Sequence, residues 1–426
     1  MKLLIPFSYY YPEQCAGLYI VDDVMKQAAK NDVNSIMFVP TPTRNVPAGA
    51  TWVKDETRED GMIHIHRFAM YGEGKNPLLR ALRYCFCEVV YLYAMLCEKY
   101  DVAFIDSTPP VQGLKLPIVR FFRRKPVVLN LQDIFPDSLA GTGLAKRNGL
   151  LWKIGRSVEN ITYCNADKII VISDDFKKNI IAKGVPEEKI VVVYNWVDEC
   201  AVVPVPKEKN ALYEDLGINN EKFTVVYAGN FGYAQNIDVT ISAAERLKDV
   251  EDIQFLMFGT GGLVEDYKRL AKEKGLGNMY FFPLQPIEKV SQVYSLGDLG
   301  IVACKKGLGK GAFPSKTWSI MSAGTPVIAN YDEDTDLERL VKENSLGVFS
   351  AADDSEQMAQ CILEMYNNRE LCAEYGRNAR HYILNNVSKE KSTQKYVDVI
   401  KELVAEHRIK KDKKSLVSGE KISDIV

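Results

Sequence analysis

Short apolar runs recur along the chain, many of them separated by stretches with helical spacing. Lys2–Phe7, Ser35–Pro40, Ile63–Phe68, Asp101–Asp106, Pro126–Leu131, Lys168–Ser173 and Lys189–Tyr194 read as buried strands. Helical patterns run from about Tyr19 to Ala29, Pro77 to Tyr100 and Trp152 to Asp167. Strand alternating with helix predicts a parallel sheet built by right-handed crossovers. The alternation breaks at Ala201–Asn210, a stretch rich in Pro and Lys without helical period. A second set follows, with strands at Phe223–Ala228, Phe255–Phe258, Met279–Phe282, Leu299–Ala303, Val327–Ala329 and Leu346–Phe349. Its helices fall near Ile237–Leu247, up to Ala271, and over Ser355–Leu384 and Lys389–His407.

The pattern divides the chain into an N-terminal α/β domain (1–200), a linker (201–212), a second α/β domain (213–385) and a helix (386–408). Residues 409–426 are polar and lysine-rich with no periodic core face, which predicts a disordered tail.

Composition narrows the function classes. At 426 residues the chain is long enough for two or three domains, and 46% hydrophobic with 26% charged residues is ordinary for a globular protein. A net charge of -2 argues against a general nucleic-acid binder. Nine cysteines lack metal-ligand or framework spacing, and their odd number without a secretion signal fits reduced thiols in the cytosol. The opening apolar run is too brief for a signal peptide. No uncharged apolar run reaches the roughly eighteen residues that a spanning helix needs.

Candidate chemistry sits where strands end. Gly311 to Ala329 reads as a loop, a short helix starting near Pro314, a Gly-Thr-Pro turn and a strand. Ser315 and Thr317 bring hydroxyls to the helix start, and Lys316 places a cation where the helix dipole disfavours it. A bound phosphate would relieve that conflict; an ordinary αβ unit with a solvated lysine is the alternative. Gly229-Asn230-Phe231-Gly232 and Gly259-Thr260-Gly261-Gly262 also follow strands and precede helices, as an anion site would. In the first domain Gly17 lies in the loop after the first strand, either letting a substrate approach the backbone or simply making a turn. Asp133 follows a strand and is placed to face a cleft; Asp137, beyond Pro136, reads as structural.

The Pro77–Tyr100 helix carries one charge between Tyr84 and Cys97, Glu88, with Arg80 and Arg83 just before that segment. With Arg120-Phe121-Phe122-Arg123-Arg124-Lys125 it suits an anionic membrane surface; a core helix with a solvated basic corner is the alternative.

Several stretches together resemble the retaining family-four glycosyltransferases of GT-B architecture. These are Tyr11-Pro12 to Gly17, Leu131 to Pro136, Ala166 to Ser173, Asn195-Trp196-Val197-Asp198, Phe258 to Gly261, Phe313-Pro314-Ser315-Lys316 and Ala323 to Ile328. They keep their order across nearly the whole chain. The branch that builds bacterial O-antigen, capsule and colanic-acid repeats, similar to the fucosamine transferases, is the nearest likeness. The resemblance implies two Rossmann-like domains facing across a cleft, with a C-terminal helix crossing back to the N-domain.

It also implies transfer of a sugar, such as an N-acetylated or deoxy hexosamine, from a UDP-sugar to a lipid-diphosphate-linked glycan. The protein would work at the inner face of the plasma membrane, with retention at the anomeric carbon and domain closure completing the site. Asp133 and Lys316 would be the catalytic residues. Gly229, Asn230, Gly259, Thr260, Gln285, Phe313, Pro314, Ser315, Thr317, Ser319 and Glu338 would hold the donor, and Gly17 would lie on the acceptor side.

Three family features are missing. The two glutamates eight residues apart are replaced by Gly311 and Ser319, the usual Lys-Gly by Gln235-Asn236, and a His by Gln132. Lys316 is therefore expected to take over diphosphate charge. No cofactor and no metal are expected, because Asp334-Thr335-Asp336 lies in a polar run that reads as a loop. A nucleotide-sugar epimerase on the same architecture and a non-catalytic nucleotide-sugar-binding subunit are the competing readings.

Overall fold

The computed structural model describes all residues except 16, 73–75, 139–145, 147 and 424–426, and says nothing of the side chains of 77 and 414–423. Ala16, within the Tyr11–Gly17 motif, lies outside the described residues. The chain forms two compact units, Met1–Tyr194 with the stretch from Ser392 onward, and Asn195–Lys391. Both are Rossmann-like α/β units.

The first unit's strands are β1 (Lys2–Pro6), β2 (Asn34–Pro40), β3 (Asp55–Arg58), β4 (Ile63–Phe68), β5 (Val102–Asp106), β6 (Val127–Leu131), β7 (Lys168–Val171) and β8 (Ile190–Val192). They lie in the order β3-β4-β2-β1-β5-β6-β7-β8. All neighbours pair parallel except β3 with β4. Strand β3 was not foreseen, because Asp-Glu-Thr-Arg shows no apolar alternation; it is a polar edge strand, where solvated side chains are tolerated.

The second unit holds β9 (Phe223–Asn230), β10 (Ile253–Thr260), β11 (Met279–Pro283), β12 (Leu299–Ala303), β13 (Val327–Tyr331) and β14 (Gly347–Ala351). Their order is β11-β10-β9-β12-β13-β14, parallel throughout. Strands β12 and β13 are buried at every position, which is why they read as continuous apolar runs. In each sheet the first strand is central and the chain winds outward from it both ways. That puts a topological switch point between β1 and β5 and another between β9 and β12, where such sheets take ligands.

Three expected boundaries move. The units divide at Tyr194/Asn195 rather than at 201, because the following segment is bound to the second unit. Val203 and Val205 amides donate to the hydroxyls of Ser291 (3.1 Å) and Ser295 (3.0 Å), and Ser322 Oγ donates to the Val202 carbonyl at 2.6 Å. The helical stretch Ser355–Leu384 is two helices, Ser355–Asn367 and Arg369–Asn386, and Asn368 between them accepts the Leu371 amide as an N-cap. The last helix runs from Lys389 to Ser423, past the expected onset of disorder at 409. Its lysine-rich end extends a helix already nucleated and packed nearer its start, and each residue added gains a backbone hydrogen bond without a new nucleus. Near its start it docks on the first unit, where Gln394 Oε1 accepts from Gln27 Nε2 (2.7 Å) and Tyr396 is fully buried.

Candidate functional site

In the second unit the loop after β12 leads into the helix Lys316–Ser322. Gly300 on β12 lets that helix lie close, since a Cβ there would stand 2.4 Å from Ile320. Gly324 ends it with φ 75°, as the turn requires. The helix start differs from expectation. Ser315 is already in helical conformation and its hydroxyl caps nothing; instead the Thr317 and Trp318 amides bond back to the carbonyls of Pro314 (3.0 Å) and Ser315 (3.2 Å). Those amides are spent on the tight first turn that Pro314 opens, and are not available to an anion.

What remains is Lys316. The residue as a whole keeps some exposure, yet its Nζ is covered and has no hydrogen-bond partner. It lies 3.8 Å from the centroid of the Tyr227 ring, and Tyr227 in turn donates to the Asn230 carbonyl at 2.6 Å. Burial pushes the ammonium down to about 7. Gly229 has φ 152°, which calls for glycine, and a Cβ there would stand 3.0 Å from Nζ, so the ammonium lies close against this backbone. A desolvated cation thus rests against the carboxyl end of β9, at the switch point with β12.

The sheet hydrogen bonds assign the nearby amides. Phe223 and Phe231 both donate to β10-side carbonyls (Asp252 and Thr260, each at 2.7 Å), and alternation then turns the Gly229 amide toward β10 as well. The Asn230 amide turns to the other side, where pairing of β9 with β12 has ended at Val226. Of the two amides expected to serve an anion, Asn230 is the one so directed.

The other expected donor residues also follow strand ends of this sheet, but not equally near. Gly259 packs its backbone on the Gly229 carbonyl, and Thr260 pairs with Asn230. Phe313 stacks on Trp318 at 4.8 Å and 9°, fixing the loop just before Pro314 and Lys316. The Thr317 hydroxyl is fully buried without a hydrogen-bond partner, and Ser319 lies on the same short helix. Gln285 follows β11, two strands from β9 and hence roughly 10 Å away. Its amide donates to the Pro283 carbonyl at 3.1 Å. Glu338 follows β13 and is used locally: one oxygen accepts the Asp334 amide (2.7 Å), the other Lys342 Nζ (2.6 Å), while Thr335 caps the same helix, Asp336–Glu343.

Two residues that sequence reasoning missed hold the loop before Lys316. Asp332 accepts the amides of Gly307 (2.9 Å) and Gly309 (2.8 Å), and the Tyr331 hydroxyl donates to the carbonyls of Gly309 (3.2 Å) and Ala312 (3.0 Å). The signal for Asp332 is an acid directly after a strand.

In the first unit Asp133 follows β6. Its carboxylate accepts from Ser138 Oγ (3.1 Å), and partial burial pushes it above the usual range although the residue keeps an exposed face. Beside it, Asp106 closes β5. It accepts from Asn130 Nδ2 (2.9 Å) and the Thr108 amide (3.3 Å), yet burial dominates and lifts it to about 7. Asp137 is tied to Lys183 at 2.8 Å. Gly17 caps the helix Leu18–Lys30 in left-handed conformation, with 3.9 Å from its would-be Cβ to the nearest side chain, so the turn alone accounts for it.

The apolar helix Pro77–Cys97 is two-faced rather than buried all round. Cys87, Tyr91, Ala94 and Met95 face the core, whereas Leu78, Leu82, Phe86, Val89 and Tyr93 form an exposed stripe at helical spacing. Phe121 and Phe122 on the neighbouring helix Leu116–Arg123 are 73% and 68% exposed. The expected basic rim is thinner. Arg83 is fully buried with its guanidinium 4.5 Å from the Tyr9 ring centroid, and Arg123 fastens the carbonyls of Leu96 and Glu98. Among the described residues no helix is long and apolar enough to cross a membrane.

Comparison with known proteins bears on the fold and the family. Residues 20–200 match the family model described as Glycosyltransferase Family 4, and residues 208–382 match that described as Glycosyl transferases group 1. A probable glycosyltransferase of Pseudomonas aeruginosa, WbjE, is 25% identical over 313 residues, 72% of this chain and 76% of its own. A putative colanic acid biosynthesis glycosyl transferase of Escherichia coli K12, WcaI, is 27% identical over 277 residues, 64% of this chain and 67% of its own. The crystal structure of Anabaena Alr3699/HepE in complex with UDP superposes with a TM-score of 0.71 at 16% identity, covering 94% of this chain and all of that one.

Proposed function

We propose that this chain, a glycosyltransferase of GT-B type with homologues in bacterial polysaccharide biosynthesis, moves a sugar with retention from a UDP-sugar to a lipid-diphosphate-linked glycan. The observation that carries the reading is the covered, unpartnered Lys316 ammonium against Gly229 at the β9/β12 switch point. A buried cation without a counter-charge is costly, and a diphosphate is the ligand that removes the cost. UDP in the structural neighbour is consistent with that ligand.

Departure of the diphosphate concentrates negative charge on its oxygens, and the enzyme gains rate by stabilising charge where it develops. Lys316, the Asn230 amide and the Thr317 hydroxyl supply that stabilisation without a divalent ion. Phe313 and Trp318 stiffen the loop. The first unit takes the acceptor, with Asp133 accepting a hydrogen bond from the reacting or a neighbouring hydroxyl.

The exposed stripe from Leu78 to Tyr93 and the Phe121–Phe122 tip rest at the membrane interface, where the apolar faces contribute more than the few remaining exposed cations. A panel of nucleotide sugars, followed by nucleoside diphosphate release with and without lipid-linked acceptor, tests the reading. Acceptor-dependent release of UDP supports it; tight binding without turnover favours a non-catalytic subunit, and epimerised donor favours an epimerase.

A further inference from the structure

The first unit contains a recess of its own beside Asp133. It is a small recess, open to solvent, at the carboxyl ends of β5 and β6 against the helix Leu150–Asn165. Its lining includes the apolar Leu129, Leu131 and Phe135 and the polar Asp106, Ser107 and Asp133. Among the described residues no Lys or Arg lines it and three carboxyls do, which disfavours phosphate. The third carboxyl, Glu159, is already engaged by Arg156, Lys183 (2.8 Å) and the Tyr163 hydroxyl (2.7 Å).

Ser107 decides what the recess can hold. Its Oγ accepts the amides of Gln132 (3.0 Å) and Asp133 (3.3 Å), which uses both lone pairs. Its O–H must therefore donate, and no acceptor for it is found among the described residues. The Asp133 carboxylate accepts from Ser138 Oγ and from the Ile134 amide, and its four lone-pair sites leave room for a ligand donor. The recess thus brings a hydroxyl donor, carboxylate acceptors and apolar side chains into one lining.

We propose that this recess receives the acetamido group of an N-acetylated amino sugar in the acceptor, making Ser107, Asp133 and the apolar Leu129, Leu131 and Phe135 a specificity subsite. The acetamido carbonyl accepts from Ser107 Oγ, its N–H donates to Asp133, and its methyl covers the leucines and Phe135. A plain hydroxyl could satisfy one polar partner but would leave the other unpaired and the apolar side chains uncovered, and such mismatches are discriminated strongly. The inference rests on the reading of the first unit as the acceptor side.

The test is direct binding of two probes, methyl N-acetylglucosaminide and methyl glucoside, to the full chain by saturation-transfer NMR and titration. The N-acetyl probe is expected to bind at least about tenfold more tightly, with its methyl receiving the strongest saturation. Ser107→Ala should bring the two probes to within about twofold, while Ser107→Thr, which keeps the hydroxyl, should retain the preference. Equal binding of both probes, or a preference that survives Ser107→Ala, overturns the proposal. UDP binding serves as the fold control for each variant. The sugar titration needs no nucleotide, so failure of the wild type to bind UDP would sink the donor reading and leave this one to be judged separately.

Discussion

The two sheets share a winding order and differ in what they bury at their carboxyl ends. The second unit covers an ammonium, Lys316, and the first covers a carboxyl, Asp106, with Asp133 beside it. Desolvation drives the two in opposite directions to the same place: Lys316 falls to about 7 and Asp106 rises to about 7. The difference lies in their partners. Asp106 is held by Asn130 and Thr108 and can rest neutral, whereas Lys316 has an aromatic face and no hydrogen-bond acceptor. On the readings proposed above, one topology yields an end for an anion and an end for a neutral polar group.

The contrast can be broken most severely at Lys316. Lys316→Ala should lower kcat/KM by about 10²–10³, the range seen when one donor to a developing oxyanion is removed. Steady-state UDP release measures it, and turnover within a fewfold of wild type would contradict the assignment. Next in size is Asp332→Ala, which frees the Gly307 and Gly309 amides. The donor KM should rise about tenfold with a smaller change in kcat, since loop position rather than charge is lost.

At the first unit, Phe121→Ser combined with Phe122→Ser should weaken co-sedimentation with anionic vesicles by at least about tenfold, from the lost burial of two large apolar side chains. Smallest is Gly324→Ala. It forces a Cβ into φ 75° and to 3.2 Å from Pro204, at a cost of about 1–2 kcal/mol in a urea melt.

Much of this was legible because parallel strands buried on both faces announce themselves as apolar runs. Phe223–Ala228 and Val327–Ala329 needed no context to be placed, and Gly324-Thr325-Pro326 marks its own turn. Edge strand β3 was hidden because it is short and polar, and the helix Leu116–Arg123 because it is only eight residues long with Phe121 and Phe122 exposed. Lys316 could be named from sequence, but its isolation could not, since Tyr227 and Gly229 approach it from some ninety residues away. Glu338 looked equally available, and only the coordinates of Asp334 and Lys342 reveal that both its oxygens are engaged. Ser107 was silent because its role arises from amides twenty-five residues onward.

The central claim, that Lys316 awaits a diphosphate, has a signature in protons. With an unliganded value near 7, the ammonium must be recharged when UDP binds at alkaline pH. In the folded protein without ligand the sign is fixed as well. The folded value lies below the unfolded one of about 10.4, so stability should rise with pH between about 7 and 10 and flatten in Lys316→Met. The direct measurement is calorimetric titration of UDP at pH 7.5 and 8.5 in buffers of different ionisation enthalpy. The account predicts proton uptake approaching one per UDP and an affinity about tenfold weaker at the higher pH, both abolished in Lys316→Met. Binding without proton uptake, or unchanged in Lys316→Met, would contradict it.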